Sequence, residues 1–214
     1  MYPDAAGRRP VMVEMAEKLA GDGYAVLVPD IYYRDGDWAP FDINTAFGDD
    51  GERKRLMGMM GSITNDRMAS DAAAFFDYLE SRPEVSGTAF GTTGYCMGGR
   101  TSLVVAGRVP ARVAAAMSFH GGGLATDDPN SPHLLADQIT AAVYVGAAEN
   151  DKSFTHEAAE TLDKALTAAD VEHTIEFYPA AHGFAVHDHD GIYDPDAAQR
   201  HWDAMKSFFG AKLG

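Results

Sequence analysis

The segment Gly94-Tyr95-Cys96-Met97-Gly98 constrains this chain more than any other stretch. It follows a strand-like run, Thr88 to Thr93, precedes a helical pattern, and sets the single cysteine of 214 residues between two glycines. A chain that turns from strand into helix within so few residues holds the apex residue in a strained conformation and projects its side chain into a pocket, the form of a nucleophile elbow. The flanking glycines let neighbouring backbone approach without a Cβ clash. Cysteine at the apex is a stronger nucleophile than serine once ionised. The competing reading of a lone cysteine is a small buried hydrophobe.

The order of residues downstream favours chemistry. A nucleophile on such an elbow is followed in the chain by an acid and then a histidine, each on a loop after a strand. Ala141 to Gly146 reads as a short buried strand, and Ala147-Ala148-Glu149-Asn150-Asp151 follows before a helix begins near Phe154. Asp151 lies just past that strand and is the candidate acid. Glu149 is the alternative, and Asp151 also suits the N-cap of a helix over Lys152 to Leu166. Thr174 to Tyr178 alternates as a strand does, and the turn Pro179-Ala180-Ala181-His182-Gly183-Phe184 follows at once. His182 therefore falls where a base must lie, one nitrogen reaching the thiol and the other held by the acid. His187 and His189 sit in a more polar stretch and read as solvated, with His187 able to face the pocket.

The rest of the chain predicts one α/β domain over 1–214, because this length suffices for a single core and no repeat or linker divides it. A helix over Val11 to Ala20 precedes a strand at Tyr24, and a helix over Met68 to Glu80 precedes the strand at Thr88. Further helices are expected after Met97, near Thr155 to Ala168, and from Asp196 to Phe209. That alternation implies a mostly parallel sheet with helices on both faces. Between 35 and 62 the pattern weakens into a cap or loop segment with a methionine run at Met57, Met59 and Met60. Arg34, Arg53, Arg55 and Arg67 are candidates for gripping a substrate carboxylate, since a guanidinium offers a planar pair of donors.

Several functions are disfavoured. A net charge of −15 with no basic stripe opposes nucleic-acid binding. No apolar run is long enough to span a bilayer and no signal-peptide form is present, so no membrane role is expected. One cysteine cannot close an internal disulfide, which fits a reducing cytoplasm. His182, His187, Asp188, His189 and Asp190 crowd one stretch, but their spacing matches no standard zinc-ligand pair. Gly121 to Gly123 lacks the tail of a phosphate-binding loop.

The chain resembles the dienelactone hydrolases, or carboxymethylenebutenolidases, which use a Cys-Asp-His triad on the α/β-hydrolase fold. Three segments carry the likeness: Gly23-Tyr24-Ala25-Val26-Leu27-Val28-Pro29-Asp30-Ile31-Tyr32-Tyr33-Arg34, the elbow through Gly99, and Ala181-His182-Gly183-Phe184. The resemblance implies Cys96 as nucleophile, His182 as base and Asp151 as acid. Oxyanion donors would be the N–H groups of Met97 and of the early loop around Ala5. Asp4 aligns with an acidic residue that in this family contacts the resting thiol. With Tyr95, His120 and Arg34 it completes the set of expected substrate contacts, His120 being placed there by the apolar strand Val113 to Met117 ahead of it. Family members normally carry further residues before the region where Met1 falls, so the strand feeding the Asp4 loop is expected to be short or missing, leaving an open sheet edge.

The expected reaction is the opening of an enol-lactone or similar activated ester through a thioester on Cys96, with no cofactor. The expected partner is a small-molecule lactone or ester, and the expected state is a monomer or small homo-oligomer. A broader esterase or thioesterase of the same fold and a redox sensor acting through Cys96 oxidation are the alternatives.

Overall fold

The structure, a computed structural model, describes residues 1–213. Its centre is a parallel sheet of four strands: β1 (Phe90–Tyr95), β2 (Val113–Phe119), β3 (Ala142–Asn150) and β4 (His173–Ala181), hydrogen-bonded in chain order. Among the described residues six α-helices surround it: α1 (Pro10–Ala20), α2 (Asp50–Ser62), α3 (Asn65–Glu80), α4 (Met97–Arg108), α5 (His156–Ala168) and α6 (Pro195–Leu213).

Alternation along the strands decides which helix covers which face. In β3, Val143 and Val145 join Phe76 of α3, Val104 of α4 and Leu162 of α5 in one core. Tyr144, between them in sequence, turns to the opposite face and packs with Met12 of α1 and Met205 of α6. Strands covered on both faces need apolar residues at every position, which is why β2 and β3 read as near-continuous apolar runs. Complete burial of each of these valines is worth about 1.5–3 kcal/mol. A third core gathers Ala5, Ala6, Tyr32, Phe41, Leu56 and Met59 beside the carboxyl end of the sheet.

One expectation is corrected. The stretch at Tyr24 to Val28 is extended and apolar, yet it forms no strand. Its one backbone hydrogen bond comes from the Met1 ammonium to the Leu27 carbonyl, at 2.9 Å. Residue pattern supplies strand propensity but not the neighbour that a strand requires. Within the 35–62 segment, expected as a cap or loop, α2 occupies the second half. Asp49 caps that helix by accepting the Glu52 N–H at 2.9 Å, and acidic residues fill its first turn. Only Leu56 and Met59 of α2 are buried, too narrow a stripe to mark a helix by periodicity.

Candidate active site

β1 continues to Tyr95, two residues beyond the expected strand, so Cys96 stands between strand and helix with φ 54° and ψ −117°. Close packing holds this left-handed conformation. A Cβ on Gly94 would lie 2.2 Å from the Gly98 carbonyl oxygen, and one on Gly98 would lie 2.3 Å from the Tyr2 oxygen and 2.4 Å from that of Pro3. Both positions therefore require glycine for close approach. The Cys96 N–H donates to the Phe119 carbonyl at 3.1 Å and to His120 Nδ1 at 3.2 Å.

β3 ends at Asn150 and β4 at Ala181, so Asp151 and His182 each stand one residue past a strand. Parallel pairing of these adjacent strands brings the two together, with His182 Nδ1 at 2.6 Å from Asp151 Oδ2. The other carboxylate oxygen accepts the Ser153 N–H at 2.8 Å and the Ser153 hydroxyl at 2.6 Å. Burial works against the ionised carboxylate, but these bonds hold the Asp151 pKa below its ordinary value. Burial also opposes the His182 imidazolium, yet Asp151 and Cys96 more than offset it and raise its pKa to about 10. Asp151 does not cap α5; Thr155 does, accepting the Ala158 N–H. Glu149 bonds His156 at 2.9 Å instead of His182.

Met97 opens α4, so its N–H belongs to the first helical turn, whose donors have no intrahelical acceptor. Met97 also packs against the core that contains Ala5 and Ala6, which brings the early loop beside the elbow. The Ala5 carbonyl accepts the Tyr32 hydroxyl at 2.7 Å, fixing that loop from behind.

The other expected contacts fall out differently. His120 is 1% exposed, has φ 38°, and donates its backbone N–H to the Gly146 carbonyl. Burial and the nearby His182 hold its pKa well below the ordinary value, so the ring is neutral. Accepting at Nδ1 places the proton on Nε2, which is buried without a partner. His120 thus supports the elbow from inside the protein instead of lining an open pocket, its ring 5.2 Å from that of His182. Asp4 is gripped by both terminal nitrogens of Arg9, at 2.6 and 2.9 Å, and accepts the Ala6 N–H. Arg9 in turn bonds both oxygens of Asp188. The Asp4 carboxylate is thereby committed to Arg9.

Tyr95 is a correction: it is fully buried and its hydroxyl meets His201 Nε2 at 3.1 Å, because neighbouring strand residues face opposite ways and Tyr95 points away from the elbow's pocket. Arg34 is bonded through two nitrogens to Asp71 at 2.5 and 2.6 Å. Arg53 and Arg55 pair with Asp50 and Glu52, and Arg67 donates to the Ser62 carbonyl. The histidine-rich stretch disperses, with His187 on Glu14 and the Asp190 N–H on Asn44. Among the described residues no three His, Cys, Asp or Glu side chains group to hold a metal ion. Sequence reasoning missed Ser153, which no strand-end pattern marks, and Arg9, whose partner Asp188 is 179 positions away.

An elbow on a parallel sheet, with an aspartate and a histidine at the ends of the later strands, defines an α/β-hydrolase. The chain belongs to the dienelactone hydrolase family, whose sequence profile matches residues 1–213, and it is a carboxylic ester hydrolase. It is 29% identical to a Synechocystis sp. protein provisionally named carboxymethylenebutenolidase, over 99% of this chain and 89% of that one. It is 28% identical to the carboxymethylenebutenolidase of a Pseudomonas species, over 84% of this chain and 70% of the relative. A solved structure of a dienelactone hydrolase-like promiscuous phosphotriesterase from metagenomic libraries superposes with a TM-score of 0.78 at 27% identity, covering 99% of this chain and 84% of the other. Among the described residues no helix is long and apolar enough to cross a membrane.

Proposed function

We propose that the protein opens an enol-lactone or a similarly activated ester by nucleophilic attack of Cys96. The thiolate adds to the carbonyl carbon, and the oxyanion is held by the N–H groups of Met97 and Ala5. Collapse of the tetrahedral adduct breaks the ester C–O bond, and the His182 imidazolium gives its proton to the leaving oxygen. Neutral His182 then takes a proton from water as that water attacks the thioester, and Cys96 leaves as thiolate with the imidazolium restored. Asp151 fixes the ring and supports its charge. The observation that carries this reading is the 2.6 Å bond between His182 and Asp151 at adjacent strand ends beside the Cys96 elbow. A free thiol in this role fits a reducing compartment such as the cytoplasm, and the site needs no second subunit to supply these groups.

A second reading, an esterase of broader range acting on uncharged esters, is favoured by the engagement of Arg34 with Asp71 and of Arg9 with Asp4 and Asp188. Hydrolysis of a dienelactone and of an aryl acetate by the wild type, Cys96→Ser and His182→Ala tests both. Lactone turnover that falls at least about 100-fold in each variant supports the first reading. Aryl acetate turnover without lactone turnover selects the second, and unchanged rates in both variants reject the triad.

A further inference from the structure

One charged cluster beside the site takes part in no step of the reaction described above. Arg9 heads α1, its carbonyl accepting the Met12 and Val13 N–H groups at 3.0 and 3.3 Å, so its side chain leaves from a fixed point. The guanidinium is 6% exposed and spends all of its N–H groups within the protein. Nη1 donates to Asp4 Oδ1 at 2.6 Å and to the Gly7 carbonyl at 3.3 Å, and Nη2 donates to Asp4 Oδ2 at 2.9 Å and to Asp188 Oδ1 at 2.8 Å. Nε donates to Asp188 Oδ2 at 2.6 Å. No donor remains for a substrate carboxylate. A buried ion triad is weak evidence for stability, because apolar side chains of similar volume do as well or better; what two forked carboxylate contacts fix is geometry.

Both ends of the cluster lie on segments that serve the site. Asp4 shapes the turn over residues 4–7: its carbonyl accepts the Gly7 N–H at 2.9 Å and its Oδ1 accepts the Ala6 N–H at 3.0 Å. Those bonds leave the Ala5 N–H as the donor of the turn without an acceptor among the described residues, although Ala5 is buried. At the other end Asp188 belongs to the segment that follows His182. Its carbonyl accepts from Asn44 Nδ2 at 3.0 Å, and the Asp190 N–H donates to Asn44 Oδ1 at 2.8 Å. Between them His189 lies behind the His182 turn, where a Cβ on Gly183 would come within 2.5 Å of its Nδ1. We propose that Arg9 is a positioning residue, stapling the turn that presents the Ala5 N–H to the segment that backs His182, and so setting the oxyanion donor against the proton carrier. Asp4 then shapes the turn and is not a proton acceptor for the Cys96 thiol. The inference rests on the thiol mechanism proposed above.

The burst of Cys96 acylation by an aryl acetate, followed against substrate concentration, gives a limiting rate and a half-saturating concentration for the wild type, Arg9→Met, Asp188→Ala and Asp4→Asn. An oxyanion donor acts in the transition state and not on bound substrate, so a displaced turn lowers the rate and leaves half-saturation alone. The expected result is a limiting rate at least about tenfold lower in Arg9→Met, with half-saturation changed less than about twofold. Asp188→Ala is expected to show a smaller fall of the same kind. Asp4→Asn keeps an Oδ1 that accepts from Ala6 and Arg9, and is expected to retain at least about a third of the wild-type rate. Arg9→Met removes a positive charge and Asp188→Ala a negative one, so a fall in both follows geometry. Opposite changes in these two variants would mean that the cluster acts on the thiol through its charge, and would overturn the proposal. Undiminished rates in both, or loss of acylation in Asp4→Asn, would also overturn it while the wild type is still acylated. Wild-type turnover with no acyl group on Cys96 would remove the thiol mechanism and this inference together. Should Arg9→Met fail to fold by near-ultraviolet circular dichroism, Asp188→Ala, altered at a side chain 34% exposed, decides the matter.

Discussion

The carboxyl end of the sheet and the flank of β1 are built from the same kinds of residue, yet one is saturated with partners and the other is open. At the carboxyl end Asp151 accepts from His182 and twice from Ser153, the Cys96 N–H has two acceptors, and Arg9 closes on two carboxylates. Positive φ angles at Cys96 and His120 persist there because the surroundings allow nothing else. On the flank, five apolar residues from Tyr24 to Val28 share one backbone bond. The difference teaches that this site rests on strands β1 to β4, which pair with one another in parallel and in chain order. The flank has no such ladder among the described residues.

Substitutions sharpen the contrast. Gly98→Ala drives a methyl group into the Tyr2 and Pro3 carbonyls, which are backbone and cannot swing aside. It is expected to cost about 3 kcal/mol in denaturant titration and to lower turnover as well, since it displaces the loop carrying Ala5. A stability loss without any change in turnover would separate that loop from the site. Asp151→Asn removes the largest stabiliser of the His182 imidazolium and is expected to lower kcat/KM about 100-fold, roughly 2.7 kcal/mol. Because the His182 pKa is raised, to about 10, its charged form stabilises the fold fully below the ordinary histidine value near 6.5, and this contribution is lost as the pH rises through about 10. Asp151→Asn should therefore pull the alkaline fall of activity to lower pH; a limb that stays in place would mean another group sets it.

The smallest effects compare the two regions directly. Val145→Ala, in the fully buried β3, is expected to cost about 2 kcal/mol, and Val26→Ala, on the half-buried flank, less than about 1 kcal/mol. Equal costs in thermal or chemical unfolding would show the flank to be as tightly packed as the sheet.

What was legible in the sequence follows the same division. Cys96, Asp151 and His182 could be located because each stands directly after a strand with a clear pattern, so short-range signals marked these three positions. Helices α1, α3, α4, α5 and α6 showed their apolar stripes. The polar α2 did not, although Asp49 ahead of Asp50 and Glu52 was a readable cap. Tyr24 to Val28 was read as a strand because its composition is right, whereas strand formation rests on a partner that composition does not reveal. The Asp4–Arg9–Asp188 cluster was hidden because Asp188 lies far along the chain from Asp4 and Arg9, and Tyr95, expected as a substrate contact, points away from the pocket because adjacent strand residues face opposite sides.

The most direct test of the thiol mechanism is mass spectrometry of the protein quenched during turnover of a dienelactone or an aryl acetate, with the labelled peptide sequenced. An acyl group of one substrate equivalent on Cys96, accumulating further in His182→Ala where hydrolysis of the thioester is slowed, is the predicted result. Turnover by the wild type with Cys96 unmodified throughout, and undiminished in Cys96→Ser, would contradict it.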